Sequence, residues 1–184
     1  MQHLEAVFQA LQQHKLYVKL SKCSFAKQEL SYLGHVISSS GVSTDLKKVQ
    51  IIANWPTPQC VKDLRNFLGM VGYYRKFVRN FGLLSKPLTN LLRKGVVYVW
   101  TSKIEASFQA LKNVLVTAPI LALPDFSKTF ELETDASDKG IGAVLQQEGH
   151  PLAFVSKALG PTAQGLSTSE KEYLAILLGV DHWR

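Results

Sequence analysis

Between Thr129 and Ser156, apolar and polar residues alternate in three short segments separated by hairpin-sized connections. Thr129 to Asp135 sets Phe130, Leu132 and Thr134 against Glu131, Glu133 and Asp135. Gly140 to Gln147 returns after a turn at Ser137-Asp138-Lys139-Gly140, and Leu152 to Ser156 follows His150-Pro151. A period of two with such connections predicts an antiparallel meander. The last element is a helix. Ser167-Thr168-Ser169-Glu170 has capping-box spacing, in which a hydroxyl and a glutamate three residues later satisfy free amides. Leu174, Leu177, Leu178 and Asp181 follow along it.

Upstream, helical spacing dominates. Leu4, Val7, Phe8 and Leu11 predict an amphipathic helix over Gln2 to His14. Leu16, Val18 and Leu20 alternate as a short strand would, and Glu29 to Ser38 predicts strands around Gly34, with Ser38-Ser39-Ser40-Gly41 as a turn. Thr44 and Asp45 are capping residues for a helix through Lys47 to Asn54, which Pro56 stops. After the stiff connector Trp55-Pro56-Thr57-Pro58, a helix begins near Val61 with Leu64, Phe67, Leu68 and Val71 on one stripe. Gly69 and Gly72 weaken it by roughly 1 kcal/mol each unless close packing requires them. Leu83 to Leu92 reads as a short helix with Pro87 in its first turn. A helix over Ile104 to Val116 turns Phe108, Leu111 and Leu115 inward.

Charge divides the chain. Residues 1–95 hold 14 basic and 4 acidic side chains, net +10, while residues 96–184 hold 7 and 10, net −3. The sign changes within Arg93 to Ser102, a plausible boundary. Such asymmetry suits a nucleic-acid-binding half joined to a different half. Cations and aromatics interleave at Tyr73, Tyr74, Arg75, Lys76, Phe77, Arg79 and Phe81, suited to phosphates and to bases or sugars. The competing reading is a helix with aromatics in the core and cations in water. Cys23 and Cys60 lack metal-ligand spacing and read as thiols of a reducing, intracellular compartment. No apolar run approaches the ~20 residues of a bilayer span, and the first residues are no signal peptide, so no membrane partner is expected.

Asp135 at a strand end and Glu172 on a helix are candidate metal ligands. Carboxylates brought together repel unless a divalent cation neutralises them, and Mg²⁺ prefers such oxygens. Two such ions could serve phosphodiester hydrolysis. The competing reading is two solvated acids. Glu170 is committed to the capping box, Glu131 and Glu133 read as the exposed side of their strand, and Asp138 reads as a turn residue bonding its local backbone. His150 and His182 have no ligand spacing.

Longer motifs are more specific. Tyr32-Leu33-Gly34-His35-Val36-Ile37, Gly41-Val42 and Trp55-Pro56-x-Pro58 resemble the end of a reverse transcriptase palm. Phe67-Leu68-Gly69-Met70-Val71-Gly72-Tyr73-Tyr74-Arg75-Lys76-Phe77 resembles its thumb. Thr134-Asp135-Ala136-Ser137, Gly140-Ile141-Gly142-Ala143-Val144-Leu145 and Ser167-x-x-Glu170-Lys171-Glu172 resemble the tethered ribonuclease H domain. Order and spacing together resemble the Pol polyprotein of gypsy-type long-terminal-repeat retrotransposons.

That resemblance implies an α+β or α/β chain, the end of a palm and a helical thumb followed by a partial RNase H-like domain of a three-stranded antiparallel meander plus helix. A palm end would occupy residues 1–54, a helical thumb or connection 55–95, and a C-terminally truncated RNase H-like domain 96–184. The family activity is RNA-directed DNA polymerisation with Mg²⁺-dependent cleavage of RNA in RNA–DNA hybrids. Asp135 and Glu172 match its first catalytic aspartate and its catalytic glutamate, both metal ligands. Arg65, Tyr73, Tyr74, Arg75, Lys76 and Arg79 would track the hybrid backbone, largely by shape and phosphate contacts.

Two departures set the expected activity. No Tyr-x-Asp-Asp motif occurs, and no later catalytic aspartates follow the glutamate helix. Asp181 lies nine residues past Glu172, about 13 Å along a helix, and does not replace them. The missing strands would leave the edge of the Thr129 to Asp135 strand exposed. The chain alone is expected neither to polymerise nor to cleave, with the remainder of the Pol polyprotein as a further partner. The alternatives are a non-catalytic nucleic-acid-binding remnant and the product of a decayed element.

Overall fold

The computed structural model describes residues 2–184. It contains two three-stranded antiparallel sheets and seven α-helices among the described residues. Helix α1, Gln2–Gln13, follows the expected amphipathic stripe yet buries no residue. Beyond it, Leu16, Val18 and Leu20 form no strand; one 3₁₀ turn spans Leu20–Lys22. Alternation alone makes no strand without a neighbour to accept its hydrogen bonds, and Leu16, Val18 and Leu20 are exposed.

The first sheet is β1, Glu29–Tyr32, β2, His35–Ser38, and β3, Gly41–Thr44, in sequential order. Gly41, expected only in a turn, opens the third strand. Its φ of +127° is open to glycine, and a Cβ there would sit 2.2 Å from the Leu121 carbonyl oxygen. That close approach lets Val42 and Leu121 exchange both backbone hydrogen bonds, tying the sheet to a segment far along the chain.

Helix α2, Leu46–Ala53, is capped by Asp45, whose carboxylate accepts from the Lys47 amide at 2.8 Å. Helix α3, Val61–Tyr73, buries Leu64, Phe67 and Val71 as the stripe predicts. Its Gly69 and Gly72 have no neighbour within 4 Å of an added Cβ, so packing does not require them. Helix α4, Phe81–Asn90, starts two residues earlier than the sequence suggests, after Asn80 in the left-handed conformation. Pro87 therefore lies inside α4 rather than in its first turn, which deletes one helical hydrogen bond. Packing against the neighbouring helix and strand compensates.

That neighbouring helix is α5, Ser102–Val116, capped by Thr101. Phe108, Leu111 and Leu115 join Leu64, Phe67, Val71, Tyr74 and Phe77 in one core, so α5 packs with the helices before it. The second sheet is β4, Glu131–Ala136, β5, Gly140–Gln147, and β6, His150–Ala158, the expected meander. Buried Gln147 anchors the approach to it, accepting from the Asp125 amide and donating to the Asp125 and Lys128 carbonyls. A short α6, Pro161–Gln164, precedes α7, Thr168–Trp183. Both hydrogen bonds of the Ser167–Glu170 capping box are present.

Helix α7 crosses one face of the second sheet, burying Lys171, Ala175 and Gly179. A Cβ at Gly179 would meet the Leu132 methyls at 2.9 Å, so small residues set this approach. Helix α4 docks on the opposite side: the Gly82 amide donates to Ser156 Oγ, and a Cβ at Gly82 would lie 2.9 Å from the Ser156 carbonyl oxygen. No helix is long and apolar enough to cross a membrane among the described residues.

Candidate nucleic-acid and carboxylate site

The cation–aromatic run divides between core and surface. Tyr74 is 1% exposed, and its hydroxyl donates to the Gly34 carbonyl at 3.0 Å. It holds the first sheet to α3 and has no free ring face for a base, a correction to its expected binding role. Burial first, then the neighbouring Tyr73 and Asp45, pushes its phenol above the ordinary value. Tyr73 is 50% exposed, donates to the Leu33 carbonyl and stacks on His35 with centroids 5.2 Å apart. One ring face is thus occupied by His35.

Arg65 and Arg75 are exposed. Lys76 is half-buried, with its ammonium 5.2 Å from the Phe77 ring centroid, and burial lowers its pKa. Arg79 meets Glu133 of β4 at 2.8 Å, an ion pair whose side chains remain 57% and 53% exposed. Solvent screening keeps such a pair weak, so Arg79 stays available to a stronger anion. Of the six residues, Arg65, Tyr73, Arg75, Lys76 and Arg79 keep surface; Tyr74 does not.

The two candidate carboxylates stand at one end of the second sheet. Asp135 pairs across β4–β5 with Gly142, and Glu172 lies in the second turn of α7. Lys171 reaches Asp138 in the β4–β5 hairpin at 3.2 Å, which brings the start of α7 to that end. Alternation sets the face of β4 on which each side chain stands. Leu132 faces α7, so Asp135 shares the other face of β4 with Glu133. There Asp135 lines a crevice of about 10 Å³ with Arg79 and Asn80, room for about one water. Asp138, expected to bond its own turn, pairs with Lys171 instead. Ser137 closes the turn, donating to the Gly140 carbonyl and accepting from its amide.

Sequence reasoning missed the Arg79–Glu133 and Lys171–Asp138 pairs. Both join residues far apart in the chain, and no local spacing marks them.

The first sheet, the helices α2 to α5 and the second sheet crossed by α7 form an arrangement of the reverse transcriptase type. Over 97% of this chain it matches 32% of the foamy viral protease-reverse transcriptase dRH solved in complex with double-stranded DNA, with TM-score 0.86 and 26% identity. The foamy viral protease-reverse transcriptase in complex with RNA/DNA hybrid matches over 98% of this chain and 25% of that one, with TM-score 0.86 and 25% identity. Residues 100–184 match the family described as the RNase H-like domain found in reverse transcriptase.

The chain as a whole is homologous to Pol polyproteins of long-terminal-repeat retrotransposons. It is 41% identical over 183 residues to the retrovirus-related Pol polyprotein from transposon 297 of Drosophila melanogaster, covering 98% of this chain and 17% of the relative. With the polyprotein from transposon gypsy of the same fly it shares 37% identity over 187 residues, covering 95% of this chain and 18% of the relative. With the transposon Tf2-3 polyprotein of Schizosaccharomyces pombe it shares 36% over 187 residues, covering 99% and 14%. The chain spans about a fifth or less of the length of these curated relatives.

RNase H-like domains use divalent metal, and the residues present do not make a cage for it. No group of three or more His, Cys, Asp or Glu side chains is placed to hold a metal ion among the described residues.

Proposed function

We propose that this chain is a nucleic-acid-gripping segment of a reverse transcriptase–ribonuclease H polyprotein. In this reading residues 1–54 end the palm, 55–95 form the thumb or connection, and 96–184 form the RNase H-like part. The observation that carries the proposal is the match over almost the whole chain to a reverse transcriptase solved with RNA/DNA hybrid. The net +10 of residues 1–95 and the exposed Arg65, Arg75 and Arg79 support it chemically. Guanidinium and ammonium groups release counterions from phosphates, so binding follows salt more than base sequence.

Asp135 and Glu172 are the carboxylates we assign to hybrid cleavage, acting only together with further carboxylates outside these 184 residues. In a Pol protein extending past Arg184, Asp135→Asn and Glu172→Gln are each expected to lower hybrid cleavage by about 100-fold or more. Glu170→Gln is expected to leave it nearly unchanged, since glutamine also serves a capping box. An essential Glu170 beside a dispensable Glu172 would reverse the assignment. For the chain itself, the test is fluorescence anisotropy with labelled RNA–DNA hybrid across a salt series. A steep loss of affinity with salt is expected, and absence of binding at low salt by the folded chain would refute the proposal.

A further inference from the structure

A second cationic surface lies away from the thumb run. Helix α4, the segment after it, the start of α5 and the β4–β5 hairpin enclose an open groove of about 680 Å³. Lys86, Arg93, Lys103 and Lys139 line it, with Asn90 and Gln164 as neutral polar neighbours. No Asp or Glu lines it among the described residues. The nearest acids in sequence are committed elsewhere: Glu105 accepts from Trp100 Nε1 and Gln109 Nε2, and Asp138 pairs with Lys171.

The four cations come from four separate stretches of chain, so the fold gathers them. Lys86 is fixed within the groove, donating to the Leu159 carbonyl, while Arg93, Lys103 and Lys139 are exposed. Like charges gathered without a carboxylate repel one another, and a polyanion removes that cost while gaining counterion release. Leu83 and Pro87 give the floor an apolar strip. Cations over an apolar floor suit a sugar–phosphate backbone better than an isolated anion. Lys139 lies four residues past Asp135 and borders the hairpin joining β4 to β5, so the groove opens beside the strand end that carries the candidate carboxylate.

We infer that this groove is a second contact for the phosphodiester backbone of a nucleic-acid duplex. It would continue the grip from the thumb cations onto the RNase H-like half, and it rests on the nucleic-acid reading proposed above. Recognition there is by charge and backbone shape, with no reading of base edges.

The test compares hybrid binding by the full chain with that of an Arg93→Gln, Lys103→Gln, Lys139→Gln triple variant. Lys86 is kept, because its bond to Leu159 is structural. A second triple variant, Lys47→Gln, Lys48→Gln, Lys62→Gln, removes the same charge from exposed positions on α2 and α3. Circular dichroism confirms that all three proteins fold. The groove variant is expected to bind about 10-fold or more weakly and to lose about 1 unit of salt slope per phosphate contact removed. The control is expected to shift far less. Equal losses in both variants would make the effect one of net charge and overturn the groove assignment. An unchanged groove variant would overturn it too, while the nucleic-acid reading would stand. Failure of the parent chain to bind hybrid would instead refute the underlying reading.

Discussion

His35 shows how one side chain can join two elements and tune their contact. Its ring stacks on Tyr73 and lies edge-on to Tyr74, and its Nδ1 is buried without a hydrogen-bond partner among the described residues. Burial first, then the Lys76 ammonium, lowers its pKa from 6.5. The unfolded chain therefore binds the proton more tightly than the folded one. Stability is full above pH 6.5 and falls as the pH drops towards the lower folded value. Urea denaturation at a series of pH values should show this slope, and His35→Phe should flatten it; an equal slope in the variant would place the effect elsewhere. Tyr74 tests the same junction. Tyr74→Phe should cost about 1 kcal/mol for the lost hydrogen bond to Gly34, and Tyr74→Ala about 3–5 kcal/mol for the cavity. Because Tyr74 offers nucleic acid no face, Tyr74→Phe should leave hybrid affinity unchanged. Composition could not separate Tyr73 from Tyr74, since both stand at the end of α3 and bond to the Leu33–Gly34 turn, and only the fold sets which ring is buried.

At the scale of elements, those with a strong local pattern were readable and those that depend on distant partners were not. The stripe of α3, the meander and the capping box of α7 follow from local spacing, and the structure contains all three. Strand β3 pairs with β2 beside it in sequence, but the bridge that ties its other edge to Leu121, far along the chain, has no local signal. Leu16, Val18 and Leu20 have equally good alternation and no partner, so they form no strand. The same logic explains the carboxylates: periodicity places Asp135 on a strand and Glu172 on a helix, but not on which face of β4 the helix packs. Two measurements probe element stability. Gly69→Ala should stabilise by about 1 kcal/mol, since the exposed helical site leaves room for the methyl. Ser167→Ala should cost about 1 kcal/mol by removing the cap of α7, with Glu170→Gln milder. Hydrogen bonds from Ser167 hold the Glu170 carboxylate below its usual pKa, so this cap weakens in acid.

For the molecule as a whole, the informative contrast is between charge and packing. Charge changes sign near residue 95, yet α5 beyond it shares one core with α3, and α4 before it docks on β6. The two halves are thus chemically distinct and mechanically joined. Such a joint suits the clamp proposed above, in which the cations of residues 65–79 and the groove beside the β4–β5 hairpin would hold one duplex at two places. Gly82, where α4 meets the β6 backbone, controls that joint. Gly82→Ala should cost about 1–3 kcal/mol, read by thermal or urea unfolding, because backbone cannot yield as a flexible side chain would.

One assay reaches the central claim of gripping without cutting. The purified chain is mixed with RNA–DNA hybrid, labelled on the RNA strand, in Mg²⁺ at low and high salt. Anisotropy should rise at low salt and collapse at high salt while the RNA strand stays intact on a denaturing gel. Metal-dependent cutting of that strand by the chain alone, or no change in anisotropy at low salt, would contradict the account.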